Sequence, residues 1–448
     1  MNIIIAGAGE VGSFLAKLLA EESQNTYIID SNSKKLEKIR SQADVITIEG
    51  DAKLVSVLEE AKIKDCDMLI SVTSSEETNF VISVIGKKLG AKKTIVRFDN
   101  DELIDLNETV AFNDLGIDFI VSPVDLAAKE VARLIRHQSF TDNLEFDDGK
   151  LVIFGINIDI QSSIVGKTFQ EAIFEKNNDN FSLFLVKRNN VTFFPKPGGK
   201  IYPGDTFYFA AKKDYVSAAL ELCNKKLIEI KDLMILGASR IGIKVAKMLE
   251  KDYHIKFIEI NEEKCEKLSR ELENTLVLNI DGRDIDALEE EGLDQTDAFI
   301  ALTGDSETNI MTSLVAKYHG VAKTIARIEN VDYIPLSQKI GIDSLIHKKR
   351  IAAANIFRYI RKGRVQALEV LHGIINAEII EFVVANDSKV VNKYLSKIGF
   401  PEEQSTVVAI IRSDEVLMPH QDIQILNGDK LIIFTRSSCV GKLENLFS

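Results

Sequence analysis

The residues best suited to chemistry are two short glycine-rich runs. Gly7-Ala8-Gly9-Glu10-Val11-Gly12 and Gly237-Ala238-Ser239-Arg240-Ile241-Gly242 each follow an apolar segment and open a helical pattern, 237 − 7 = 230 positions apart. In such a loop the first glycine permits a tight turn. The second lets backbone approach a pyrophosphate, and the third lets the helix pack against the sheet. The helix start adds unpaired N–H groups and positive partial charge, a natural seat for phosphate. Asp30 lies 30 − 12 = 18 residues past the last glycine, at the end of the next apolar run. It is placed to accept hydrogen bonds from ribose hydroxyls, and its charge repels a 2′-phosphate, so NAD(H) is expected in preference to NADP(H). In the second copy Glu259 takes that role, but Ser239 puts a side chain where pyrophosphate would approach. The second half therefore reads either as a working nucleotide site or as a degenerate copy kept for packing or for another ligand.

Further polar pairs keep the 230 offset: Asp51 and Asp281, Thr73 and Thr303, Asn79 and Asn309, Arg97 and Arg327. They fall at or just beyond the carboxyl ends of predicted strands, the edge where open α/β sheets bind ligands. Capping is the competing role for Thr73 or Ser74 at the start of the helix that carries Asn79. Arg97 and Arg327 could meet a phosphate bidentately or pair with an acid of the chain itself. Across residues 71–100 and 301–330 twelve of thirty positions are identical, where composition alone gives roughly two. Such a repeat implies two related nucleotide sites.

The elements that would hold these residues alternate. The pattern predicts strands at Ile3–Ala6, Tyr27–Ile29, Val45–Ile48, Met68–Val72, Thr94–Phe98 and Phe119–Val121, with helices between them at Val11–Ala20, Ser33–Ser41 and Thr78–Leu89. Short apolar strands alternating with helices mean a parallel sheet covered on both faces, with right-handed connections. Pro123 opens a helix to about Arg136, where its missing N–H costs nothing. Residues 138–149, rich in Asp, Asn and Gly, read as a linker. Residues 151–222 are strand-like instead, with Ile201-Tyr202-Pro203-Gly204-Asp205-Thr206 as a turn feeding a strand. Ile425-Leu426-Asn427-Gly428-Asp429-Lys430 repeats that turn at offset 425 − 201 = 224. The expected order is four segments: 1–140, 141–228, 229–365 and 366–448.

With 448 residues and 45% hydrophobic content the chain is an ordinary multidomain globular protein. A net charge of −13 counts against broad nucleic-acid binding and against adsorption to anionic lipid. No run reaches the ~18 apolar residues of a membrane span, and the first strand begins at once, so membrane contact is expected only through a partner. Cys66, Cys223, Cys265 and Cys439 are scattered and read as reduced thiols. The six histidines show no metal spacing, and no metal site is expected. No catalytic set emerges either. An NAD-dependent oxidoreductase remains the alternative on the fingerprint alone, and a redox-sensing nucleic-acid regulator is disfavoured by the charge. Two basic runs, His347-Lys348-Lys349-Arg350 and Arg358–Arg364, read as a solvated helix face or a docking surface for another protein or for lipid headgroups beside one.

GAGEVG with Asp30, Gly50-Asp51, SVTSSEETN, IYPGDTFYF, GASRIG, ALTGDSETN and ILNGDKLII, in this order, resemble the cytoplasmic regulatory subunits of Trk-type potassium uptake systems, the TrkA family, over essentially the whole chain. The resemblance implies an α/β fold with two Rossmann-like doubly wound parallel-sheet domains, each followed by a small α+β TrkA-C (RCK-C) domain. It implies a non-enzymatic gating protein that binds NAD(H), with ADP or ATP as further ligands. It also implies a ring-like homo-oligomer, a dimer or tetramer, docked on a TrkH- or TrkG-like channel subunit at the inner face of the membrane. By this likeness Gly7, Ala8, Gly9, Glu10, Val11, Gly12, Asp30, Asp51, Thr73 and Arg97 line a first site, and Gly237, Ser239, Gly242, Glu259, Asp281 and Thr303 a second. The family often carries a second arginine at the place of Asp99, a departure that weakens the expectation of a bound triphosphate.

Overall fold

The computed structural model describes every residue except 22–23, 101–111, 137–142, 177–178, 190, 226–229, 331, 362–366, 370–376, 402–403, 420–421 and 448. The expected segment boundaries near 140, 228 and 366 lie outside the described residues or at their edge. Two compact units form: Met1–Arg136 with Ile230–Tyr359, and His137–Glu229 with Ile360–Ser448.

The first unit holds both glycine-loop halves. Its first sheet comprises β1 (Asn2–Ala6), β2 (Asn25–Asp30), β3 (Ile46–Glu49), β4 (Met68–Ser71), β5 (Lys93–Arg97) and β6 (Phe119–Val121), in order β3-β2-β1-β4-β5-β6. All its pairings are parallel. In the second unit β7 (Asn143–Phe146), β8 (Leu151–Asn157), β9 (Phe181–Arg188), β10 (Val191–Phe193) and β11 (Thr206–Lys212) make an antiparallel sheet. The first unit then repeats its sheet with β12 (Asp232–Leu236), β13 (His254–Glu259), β14 (Thr275–Asn279), β15 (Ala298–Ala301), β16 (Lys323–Arg327) and β17 (Ser344–Ile346), in order β14-β13-β12-β15-β16-β17. The second unit closes with β18 (Ala367–Glu369), β19 (Ala377–Val383), β20 (Ser405–Arg412), β21 (Glu415–Leu417) and β22 (Lys430–Arg436), again antiparallel. The parallel sheets have the 3-2-1-4-5-6 order of a dinucleotide-binding fold, whose strand order reverses beside the first strand and leaves a crevice there.

The two parallel halves exchange helices. Pro123–Arg136 belongs to the first half by sequence, yet Ala127, Val131 and Ile135 are buried with Ile241, Val245 and Leu249 of the second. Lys348–Arg361 answers from the other side. Its Tyr359 stacks on Phe119 at 4.0 Å between ring centroids, and its Arg350 guanidinium covers the Phe14 ring at 5.1 Å. Each helix thus buries part of its apolar face against the opposite half.

The expected linker is partly a hairpin. Phe146 pairs with Leu151, and Asp147, Asp148 and Gly149 between them all have positive φ. Asp and Gly are the residues that tolerate such a turn. The expected linker residues 138–142 lie outside the described residues. In the second unit Phe184, Tyr208, Val408 and Phe434 meet in one core shared by both antiparallel sheets. The repeated Gly-Asp turns are structural there: buried Asp205 accepts from Tyr202 N and from the Arg188 guanidinium, and Asp429 does the same with Leu426 N and Arg412.

Candidate functional site

β1 delivers the chain to Gly7, whose φ of +113° and whose closeness to Thr73 (a Cβ would stand 2.9 Å from its N) admit only glycine. Gly12 begins the packed part of the helix Glu10–Glu21, and a Cβ there would lie 1.9 Å from Gly7 O. Gly9 differs in kind: nothing lies within 4 Å of its Cβ position. Packing therefore demands the outer glycines, while the middle one leaves open space beside the helix start, as close approach of a phosphate requires.

The second loop repeats the first with one change. Gly237 has φ +99° against Thr303, and Gly242 stands against Gly237 O. Ser239 caps its own helix, its Oγ accepting from Gly242 N at 3.2 Å. A side chain now fills the place left open at Gly9, and one of the helix-start amides is already paired. The space beyond it persists as a cavity of about 540 Å³, lined by Gly237, Ser239, Glu259, Asp281 and Thr303 among others. Gly242 acts from behind the loop by close packing.

Each strand-tip acid holds its glycine loop. Asp30 Oδ2 accepts from Ala8 N at 2.7 Å and its Oδ1 from Asn32 N at 2.9 Å. Glu259 does likewise with Ala238 N at 2.6 Å and Asn261 N at 2.9 Å. A carboxylate has about four acceptor positions, so bracing the loop leaves capacity for ribose hydroxyls. Asp51 caps its own turn through Lys53 N at 3.0 Å. Asp281 accepts from Arg283 N and Nη2 at 3.0 and 2.7 Å, and the guanidinium holds its carboxyl below the usual range.

Thr73 and Thr303 stand against the glycine loops, and Asn79 and Asn309 stand behind them. Buried Asn79 accepts from Thr73 N and Oγ1 at 2.8 and 2.7 Å and donates to Arg97 O at 3.1 Å. Asn309 makes the same set with Thr303 and Arg327 O. These amides tie the loop after β4 or β15 to the end of the neighbouring strand, which is a positioning role and not a ligand contact. Arg97 is paired with Asp99 and Arg327 with Glu329. Of the two roles open to the arginines, the structure displays the internal ion pair. Burial pushes the Glu329 carboxyl up, but Arg327, with Lys349 and Lys348, outweighs it and brings it down to about 2.

The first basic run is turned partly inward, with only Arg350 exposed. His347 is buried, and its Nε2 meets Glu329 O at 3.0 Å. Lys349 Nζ lies 2.9 Å from Glu10 Oε2 and 3.2 Å from Glu329 Oε2. Glu10, which the resemblance placed in the first site, thus binds the opposite half. Of the second run, Lys362, Gly363 and Arg364 and the side chains of Arg358 and Arg361 lie outside the described residues. Val11 is buried beneath the first loop. All four cysteines are unbridged and buried, and burial raises Cys66 to about 11 and Cys223 to about 12. Among the described residues no cluster of three or more His, Cys, Asp or Glu could hold a metal ion, and no helix is long and apolar enough to cross a membrane.

Sequence reasoning did not single out Lys264, Arg283, Asp305 or Thr308, which also line the second cavity. One signal was available: Lys53 and Arg283 place a cation two residues after Asp51 and Asp281, at the common offset.

Comparison with known proteins places the chain in a family. The TrkA-N domain family matches residues 3–123 and 233–348, and the TrkA-C domain family 153–224 and 379–448. The chain belongs to the TrkA family. A Methanosarcina mazei relative named Trk system potassium uptake protein TrkA homolog 2 is 31% identical over 456 residues, covering 100% of both chains. The Trk system potassium uptake protein TrkA of Vibrio alginolyticus is 30% identical over 453 residues, covering 100% of this chain and 98% of that one. Among solved structures the GsuK RCK domain superposes with a TM-score of 0.60 at 17% identity, covering 100% of this chain and 94% of that one. The TrkA-N matches span the two parallel sheets to within a residue, and the TrkA-C matches cover the antiparallel sheets apart from β7, β18 and the starts of β8 and β19.

Proposed function

We propose that this chain is a nucleotide-sensing regulatory subunit of a potassium uptake system and has no catalytic turnover of its own. The observation that carries this reading is the duplicated loop at the switch point of each parallel sheet, with packing glycines and a strand-tip acid in both copies and an open helix start in the first. Full-length relatives named as Trk potassium uptake proteins support the transport role. GsuK, which shares the fold, has been solved as a channel bound to NAD and also bound to ADP, in keeping with an adenine nucleotide as ligand.

In this proposal the first cleft takes NAD(H), with ADP or ATP as further ligands. Helix-start amides near Gly9 meet the phosphates, Asp30 the ribose, and Asp51 and Thr73 border the site. The second cleft is restricted by Ser239 to ligands that do not press a pyrophosphate onto the loop. Segments 1–140, 141–228, 229–365 and 366–448 act as two RCK units in a ring-like dimer or tetramer. That ring works from the cytoplasmic face of the membrane on a TrkH- or TrkG-like channel subunit. A ligand gates only if it binds one arrangement of the units better than another.

Isothermal titration of NADH, NAD, ADP and ATP against wild type, Asp30→Ala and Glu259→Ala tests the binding step. The proposal expects tight binding that Asp30→Ala removes, with a smaller effect of Glu259→Ala. No binding of any of the four, or consumption of NADH with a metabolite that Asp30→Ala abolishes, would overturn it; the second result would mark an oxidoreductase.

A further inference from the structure

The two clefts are joined by crossed relays of polar contacts, each leading from one glycine loop to the wall of the other. From the first loop, Glu10 meets Lys349 at 2.9 Å, and Lys349 meets Glu329 at 3.2 Å. Glu329 holds the Arg327 guanidinium, with Nε at 3.0 Å. The Arg327 carbonyl accepts from Asn309, which holds Thr303 against Gly237 in the second cleft. From the second loop, Arg240 donates to Asp99 O at 3.1 Å. Asp99 holds Arg97, whose carbonyl accepts from Asn79, which holds Thr73 against Gly7.

Every residue in one relay has its equivalent 230 positions away in the other, except Lys349. The exception has a physical reason. Arg240 is a cation and reaches the Asp99 region directly. Its equivalent Glu10 is an anion facing the equivalent acid Glu329, and two carboxylates repel unless a cation stands between them. Lys349 is that cation. The crossing helices are offset by 348 − 123 = 225, so its equivalent in the first half is 349 − 225 = 124, an apolar buried Val124. A lysine is present where the charge pattern needs a bridge, and a valine where it does not.

We propose that these relays couple the two clefts, so that the state of one sets the nucleotide affinity of the other. Glu10 and Arg240 sit at the helix starts where phosphate is proposed to bind. A bound phosphate repels Glu10 and attracts Arg240, and each response pulls on the opposite wall. Coupling of this kind is reciprocal and typically changes affinity fivefold or more. The inference rests on the nucleotide reading above and deepens it.

The test uses the full chain and NADH by isothermal titration. The first-cleft site is identified as the one lost in Asp30→Ala. Glu259→Gln alters only the second cleft, and the relays predict that it shifts NADH affinity at the first by about fivefold or more. In a Lys349→Ala, Arg240→Ala background that shift falls to less than twofold while NADH still binds, and restoring the cation with Lys349→Arg returns part of it. Thermal melts confirm that each variant is folded. A shift absent with Lys349 and Arg240 present, or undiminished without them, overturns the coupling. A wild-type chain with no Asp30-dependent NADH site overturns the nucleotide reading itself, and the coupling with it.

Discussion

The middle position of the glycine loop is where fold and ligand separate. In Gly9→Ser the new side chain enters open space, since nothing lies within 4 Å of the Cβ position. Its hydroxyl can then cap the helix as Ser239 does for Gly242. Gly and Ser differ by only a few tenths of a kcal/mol as N-caps, so stability should change by less than about 0.5 kcal/mol. Binding should not be spared. The side chain would occupy the approach proposed for the phosphates and take a helix-start amide. Loss of one hydrogen bond to a charged group is worth about 1.5–3 kcal/mol, or roughly 10- to 150-fold in affinity. The reciprocal Ser239→Gly should strengthen NADH binding at the second cleft at little cost to folding. Urea denaturation and isothermal titration with NADH, run on the same preparations, separate the two effects. Wild-type NADH affinity in Gly9→Ser would refute the role given to the open space, and a stability loss of several kcal/mol would refute the reading of the loop geometry.

Three further outcomes follow from the same contacts. Gly12→Ala puts a Cβ 1.9 Å from Gly7 O, so the loop must shift; a loss of about 1–3 kcal/mol and at least tenfold weaker NADH binding should appear in melts and titrations. Asn79→Ala leaves the Thr73 N–H and the Arg97 carbonyl without their buried partner and should cost about 2–4 kcal/mol in urea denaturation. Acid should loosen the junction between the parallel halves by two groups. Burial holds His347 below its ordinary 6.5, and its Nδ1 accepts from Arg350 N, which requires that nitrogen to be unprotonated. The unfolded chain therefore takes up the proton first, and stability falls as pH drops below 6.5. Glu329 ionises near 2, below its ordinary 4.5, so its contribution is present above 4.5 and is lost as pH falls from there toward 2. Melting temperatures between pH 7 and pH 3 should show both losses, and His347→Asn should flatten the upper one.

Much of this was written locally. Gly7 and Gly12, the strand before them and the helix after them are short-range signals, and the 230 offset converts each into a pair. What escaped depends on contacts that the local sequence does not display. His347-Lys348-Lys349-Arg350 reads as a solvated run because nothing in its own neighbourhood shows that Glu10, Phe14 and Glu329 stand opposite. Asn79 and Asn309 keep the offset of the candidate site residues, yet backbone geometry explains their repetition: the same strand ends must be tied in both halves. Asn143–Phe146 was hidden by the Asp-Asp-Gly turn beside it, whose composition suits a hairpin as well as a linker.

Potassium flux tests the central claim most directly. Vesicles carrying the Trk-type channel subunit, with this chain bound to the exposed cytoplasmic face, should change their rate of potassium movement when NADH, NAD, ADP or ATP is added. Gly9→Ser should abolish the response to NADH while still binding the vesicles. A rate indifferent to all four nucleotides, with the chain bound and folded, would contradict the account.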